Sequence, residues 1–160
     1  MKAIRLLCFL LLCCPLLSRG QVTGDAIVGL WETAENDGQI EIVRADDSTY
    51  EGYVRWYLVD EKKKGIKDIH NPDPTKRNRT PLNMRLLSDF RFEDGIWKYG
   101  HVYDPYSGST YKARIKYVPG TPGVIELRGY IGIPLFGRTA RWHRISFNEL
   151  RPSNPNVQQQ

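Results

Sequence analysis

His101, Asp104 and Ser107 lie close together in one stretch and bring an imidazole, a carboxylate and a hydroxyl, the groups with which a hydrolase activates a serine. That chemistry presents its serine on a sharp elbow, and no Gly-x-Ser-x-Gly segment occurs in the chain. Asp104-Pro105-Tyr106-Ser107, closed by Gly108, reads instead as a turn. In it Asp caps the backbone, Pro presets φ and Gly takes the left-handed position. The three histidines, His70, His101 and His143, have no metal-ligand spacing, so no metal centre is expected. Asp73, Asp104 and the pair Glu93-Asp94 could serve as acid and base, but spacing sets no two of them across a substrate. We therefore assign no catalytic residue and no cofactor, and keep a hydrolase around His101 and Asp104 as an alternative.

Binding chemistry is better supplied. RGYIGIPLFGRTARW, residues 128–142, packs glycines, aromatics, aliphatics and arginines into one segment without a helical period. Gly129, Gly132 and Gly137 frame an apolar run with Pro134 in its middle, the composition of two strands joined at a tight bend. Arg128 and Arg138 then lie on adjacent strands, where a guanidinium can stack on an aromatic ring or fork onto a carboxylate. With the Asn71-Pro72-Asp73-Pro74 run and the Tyr103-Asp104 turn, this bend gives a candidate ligand site of Asn71, Asp73, Tyr103, Asp104, Tyr130, Arg138 and Trp142. One cation and several aromatic faces around an apolar floor suit a small amphipathic molecule with an acidic group, or an acidic patch on an envelope protein.

The elements that would hold these residues are strands. AIVGLW and QIEIVR flank the turn at Asn36-Asp37-Gly38, and from Thr49 the chain alternates, with Tyr50, Gly52, Val54, Trp56 and Leu58 on one face. Between residues 60 and 82 a lysine-rich run and Pro72, Pro74 and Pro81 forbid a continuous helix or central strand. Such a long loop in a compact domain is typically functional or mobile. MRLLSDFRF and IWKYGHVY flank a turn at Glu93-Asp94-Gly95. STYKARIKYV puts Tyr111, Ala113, Ile115 and Tyr117 inward and Lys112, Arg114 and Lys116 outward. VIELRGYIG and GRTARWHRISF complete about eight strands. Short turns and the absence of crossovers favour an all-β, eight-stranded antiparallel up-and-down barrel, which leaves no open sheet edge. A barrel of this size is filled by side chains or holds one small ligand. Tyr50, Trp56, Tyr111, Tyr130 and Trp142 are the aromatics expected to line it, and Trp31 is expected to pack at one end against Arg128, Arg138 or Arg141.

Residues 1–20 differ from the rest. Lys2 and Arg5 precede LLCFLLLCCPLL, and Ser18-Arg19-Gly20 supplies small residues for a peptidase, so cleavage after Gly20 and a periplasmic or extracellular protein are expected. Cys8, Cys13 and Cys14 all fall in that segment, which leaves the single domain at residues 21–150 without disulfides or thiol ligands. Without Lys2, Arg5 and Arg19, 20 basic residues face 18 acidic ones, a net charge of +2. With no basic helix and no recognised motif, nucleic-acid binding is not expected. No membrane span is expected either, and nothing in the sequence calls for an oligomer, so the expectation is a monomer. RPSNPNVQQQ, residues 151–160, reads as a disordered polar tail.

Gly29-Leu30-Trp31, NPDP at residues 71–74, VYDPYSGSTY at 102–111 and the 128–142 segment together resemble the bacterial family called domain of unknown function 2147. The resemblance runs through nearly all of the domain and implies a small exported protein without supplying a reaction. The Gly-x-Trp in the first strand, with an arginine late in the chain to cover it, also resembles lipocalins at the level of fold. The function expected is therefore an exported barrel that binds a small amphipathic or acidic molecule. A cell-envelope interaction module with a filled barrel is the alternative from another class.

Overall fold

The computed structural model describes residues 22–45, 48–58 and 67–152. Residues 1–20, on which the expected signal peptide falls, lie outside them, as do residues 59–66 of the lysine-rich run and 153–160 of the expected tail. Eight strands follow one another in chain order: β1 Gly29–Glu32, β2 Gly38–Arg44, β3 Tyr50–Tyr57, β4 Arg85–Glu93, β5 Ile96–Asp104, β6 Ser109–Tyr117, β7 Val124–Tyr130 and β8 Arg138–Ile145. Each pairs antiparallel with the next, and β8 returns to pair with β1 through Leu30↔Ile145 and Trp31↔Arg144, which closes the barrel. Closure satisfies the backbone of every strand without an exposed edge. The alternation read in β6 holds, with Ala113 and Ile115 buried and Lys112, Arg114 and Lys116 exposed.

One end of the barrel is plugged. The turns at 94–95 and 118–123 lie there with a 3₁₀ turn, Gly24–Ile27, whose Ile27 is fully buried. A turn this short leaves carbonyls unpaired, and side chains from around the barrel bond them. Trp31 Nε1 donates to the Ile27 carbonyl at 2.8 Å, Trp97 Nε1 to Gly24 at 3.0 Å, and the Tyr117 hydroxyl to Ala26 at 2.6 Å. Trp31, Trp97, Tyr117 and Phe92 pack ring against ring beneath it, at centroid separations of 4.9 to 6.2 Å.

The arginine that covers Trp31 is Arg144, and not Arg128, Arg138 or Arg141 as expected. Its guanidinium lies 4.3 Å from the ring centroid, donates to the Val28 carbonyl at 2.9 Å, and also bonds the Ala26 carbonyl. Strand period explains the difference. Arg138, Ala140, Trp142 and Arg144 share the inward row of β8, so Arg138 sits at the open end and Arg144 at the plug. Arg141 points outward to Glu126 at 3.0 Å, and Arg128 bonds the β7–β8 bend.

A second correction concerns β3. The β2–β3 register shifts between Gln39↔Trp56 and Ile40↔Val54, so one β3 residue is extra and alternation inverts beyond Val54. Trp56 therefore faces outward, where the Arg151 guanidinium stacks at 4.5 Å, and Tyr57 takes the inward place expected for Trp56. Arg151 is further held by its backbone N–H on the Gln39 side chain at 2.9 Å and by an ion pair with Glu32 at 2.5 Å. Tyr50, also expected in the cavity wall, lies at the plugged end and donates to Asp25 at 2.8 Å.

Candidate functional site

The other end of the barrel opens into a cavity of about 1050 Å³. Up-and-down order puts the β1–β2, β3–β4, β5–β6 and β7–β8 connections at this end, and residues from all four line it. Ile40, Val54, Leu127 and Trp142 make an apolar floor. Around the mouth stand Glu35 and Asp37 from β1–β2, Tyr57, then Tyr103, Asp104 and Tyr106, and between the β5–β6 and β1–β2 turns Tyr130, Ile131, Phe136 and Arg138. A barrel filled by its own aromatics does not have this volume, which is at the top of the range for small-molecule sites, about 300 to 1,000 Å³.

Five of the seven candidate residues, Tyr103, Asp104, Tyr130, Arg138 and Trp142, line the cavity. The Arg138 side chain makes no hydrogen bond or ion pair among the described residues and is exposed at the mouth, a cation without an internal partner. Asp104 has a structural task as well. Its carboxylate accepts from the Tyr106 N–H at 2.9 Å and from the Ser107 hydroxyl at 2.7 Å, the capping expected of this turn. Asp37 on the facing turn likewise accepts from Thr33 Oγ1 at 2.7 Å. Burial and the nearby carboxylates of Asp37 and Asp104 both raise the Tyr106 phenol above its usual range.

Asn71 and Asp73 do not line the cavity. Asn71 is buried behind it, where its Nδ2 donates to Asp68 at 2.7 Å and to the Tyr103 hydroxyl at 3.0 Å. The centre of this cluster is Asp68, fully buried, which also accepts from Tyr103 at 2.5 Å and from Arg79 Nε at 2.9 Å. Desolvation and then the Asp68 hydrogen bond push the Tyr103 phenol up to about 12. Asp73 caps the 3₁₀ turn Pro74–Lys76, and hydrogen bonds from Thr75, then Lys76, hold its carboxyl at about 2. The proline-rich loop is thus a buttress behind the Tyr103 wall. Gly108 joins the two, since a Cβ there would lie 1.9 Å from the His70 carbonyl oxygen.

Sequence reasoning does not single out Asp68, Tyr57 or Phe136. Asp68 has no motif around it, Tyr57 is hidden by the bulge, and Phe136 reads only as part of the bend. The hydrolase grouping does not assemble: His101 reaches outward toward Asp89 at 3.4 Å, while Ser107 donates to Asp104. No cluster of His, Cys, Asp and Glu suited to a metal ion occurs among the described residues. No helix among them is long and apolar enough to cross a membrane.

The family model described as an uncharacterized protein conserved in bacteria, DUF2147, matches residues 29–144, from the first strand to the last. The chain belongs to the DUF2147 family. Among solved structures, this DUF2147 chain is similar to protein HP1028 from the human pathogen Helicobacter pylori, which belongs to the lipocalin family. The two are 27% identical over 82% of this chain and 94% of that one, with a TM-score of 0.66. No curated protein matches the DUF2147 chain. The likeness is one of fold, a closed eight-stranded antiparallel barrel with a lipocalin-family neighbour.

Proposed function

We propose that this protein is an exported carrier or sensor that holds one small amphipathic molecule in the open end of its barrel. The observation that carries the reading is the cavity of about 1050 Å³, apolar at its floor and bearing the unpaired Arg138 at its mouth. An apolar body would lie against Leu127 and Trp142, and an acidic group would meet Arg138, with Tyr130 beside it. Asn71 and Asp68 would act through Tyr103, by fixing the wall rather than by touching the ligand. Small-molecule binding is what a lipocalin-like barrel suggests in general, and the likeness to HP1028 supports this much of the proposal.

Native mass spectrometry of the protein purified from its own bacterial envelope tests both halves of the proposal. The expected spectrum shows a chain beginning at Gln21 and a co-purifying molecule of small mass that activation in the gas phase releases. Binding of anilinonaphthalene sulfonate, an apolar ring system with one anionic group, is expected to be saturable and to weaken roughly tenfold in Arg138→Ala. Unchanged binding in that variant would remove Arg138 from the site.

A further inference from the structure

The β7–β8 bend carries more exposed apolar surface than closing a hairpin requires. Ile131, Leu135 and Phe136 are 75%, 74% and 79% exposed, and Ile133 is more than half exposed. The bend is nevertheless held firmly. Arg128, on the outer face of β7, donates from Nε to the Pro134 carbonyl at 2.6 Å, from Nη2 to Leu135 at 3.0 Å and from Nη1 to Thr139 Oγ1 at 2.7 Å. Gly137 lets the strands close at its base, since a Cβ there would lie 2.6 Å from the Gly129 carbonyl oxygen. The apolar side chains are therefore presented outward by a pinned backbone.

The surroundings say what they are presented to. β6, β7 and β8 carry one acid, Glu126, and it is shared by Lys116 at 2.9 Å and Arg141 at 3.0 Å. Lys112, Arg114 and Arg128 have no carboxylate partner among the described residues. Arg114, Lys116 and Arg128, with Glu126 among them, border a hollow of about 330 Å³ on the outside of the barrel whose other wall is Pro134, Leu135 and Thr139, three cations to one acid. Basic groups thus lie directly beneath an apolar tip, the arrangement that binds an anionic lipid interface by combining buried apolar area with charge attraction. The β1–β2 and β5–β6 turns on either side of the bend carry Glu35, Asp37 and Asp104 at the mouth, so it is the outer β6–β8 face beneath the bend, and not the mouth itself, that complements such a surface.

We propose that the β7–β8 bend docks on an anionic phospholipid bilayer, with Leu135, Phe136 and their apolar neighbours in the interface and lipid phosphates at Arg114, Lys116 and Arg128. Ile131 and Phe136 also line the cavity, so docking sets the mouth of the barrel beside the leaflet. This goes beyond the proposed carrier function and stands whether or not the cavity takes a ligand.

The test is co-sedimentation of the purified chain with vesicles of equal parts phosphatidylglycerol and phosphatidylcholine, and with phosphatidylcholine alone. Binding is expected to the anionic vesicles and to fall as salt is raised. Leu135→Ser with Phe136→Ser should weaken it roughly tenfold, and Arg114→Gln with Lys116→Gln should abolish the preference for anionic lipid. Should the serine variant not fold, Phe136→Trp reports instead, through a blue shift of its emission and quenching by brominated lipid. The proposal fails if the chain does not sediment with anionic vesicles, or if the folded serine variant binds as well as the wild type. It also fails if millimolar inorganic phosphate removes all binding while the emission of the Phe136→Trp variant never shifts, since the hollow is then an anion site only.

Discussion

A single arginine at each end of the inward row of β8 does different work. Arg144 lies over Trp31 at 4.3 Å and bonds carbonyls of the Gly24–Ile27 turn, so it ties the plug to the wall. Arg144→Ala is expected to lower stability by about 1 to 3 kcal/mol, from the lost stacking and carbonyl bonds. Arg138→Ala and Arg141→Ala should stay within about 0.5 kcal/mol of wild type, because neither joins the plug. Urea unfolding midpoints of the three variants check this directly. The Tyr103 phenol gives a second prediction. Its folded pKa is raised from 10.0 to about 12, so the folded state keeps a proton that the unfolded chain releases above pH 10. Its contribution to stability is whole below pH 10 and is lost as pH rises toward 12. Tyr103→Phe is expected to flatten the fall of stability across that window, read from chemical unfolding at stepped pH.

At the scale of elements, period-two alternation made β6 legible, because each strand has one buried face and a slip of one residue would expose it, and glycines around Pro134 marked the bend after β7. The same rule misplaced Trp56 and Tyr57, since a bulge changes the phase of alternation without leaving a Gly or Pro to mark it. Arg144 was missed among several arginines, although counting in twos from the buried Trp142 puts it on the inward face and Arg141 outside. Asp68 was not legible at all: its partners Arg79 and Tyr103 are brought to it by the path of the loop, which local pattern does not encode. The turn that meets this loop yields a prediction of its own. Gly108 has φ of +69° and faces the His70 carbonyl, whereas Gly120 has φ of +74° with nothing within 4 Å. Gly108→Ala is expected to cost about 2 to 3 kcal/mol and Gly120→Ala about 1 kcal/mol, from backbone strain alone in the second case. Equal costs in thermal unfolding would mean that the loop does not rest on the turn.

For the whole molecule, closing the sheet and plugging one end leave a container whose opening and outer edge can be altered separately. Ala140 lies between Arg138 and Trp142 on the inward row, pairs with Leu127 across β7 and β8, and faces the cavity rather than the packed floor at the plug. A large side chain introduced there enters empty volume, so it meets little of the strain that overpacking a dense core brings. Ala140→Trp is expected to change stability by no more than about 1 kcal/mol while weakening binding of anilinonaphthalene sulfonate by at least roughly tenfold. Leu135 and the hollow beside Arg114 and Lys116 lie outside the cavity, and Phe136 meets it only at the exposed mouth, so sedimentation with anionic vesicles should be unchanged. Undiminished probe binding in a folded Ala140→Trp variant would place the ligand site elsewhere. A loss of vesicle binding in the same variant would show that the mouth and the outer edge are one surface, with the lipid itself reaching into the barrel.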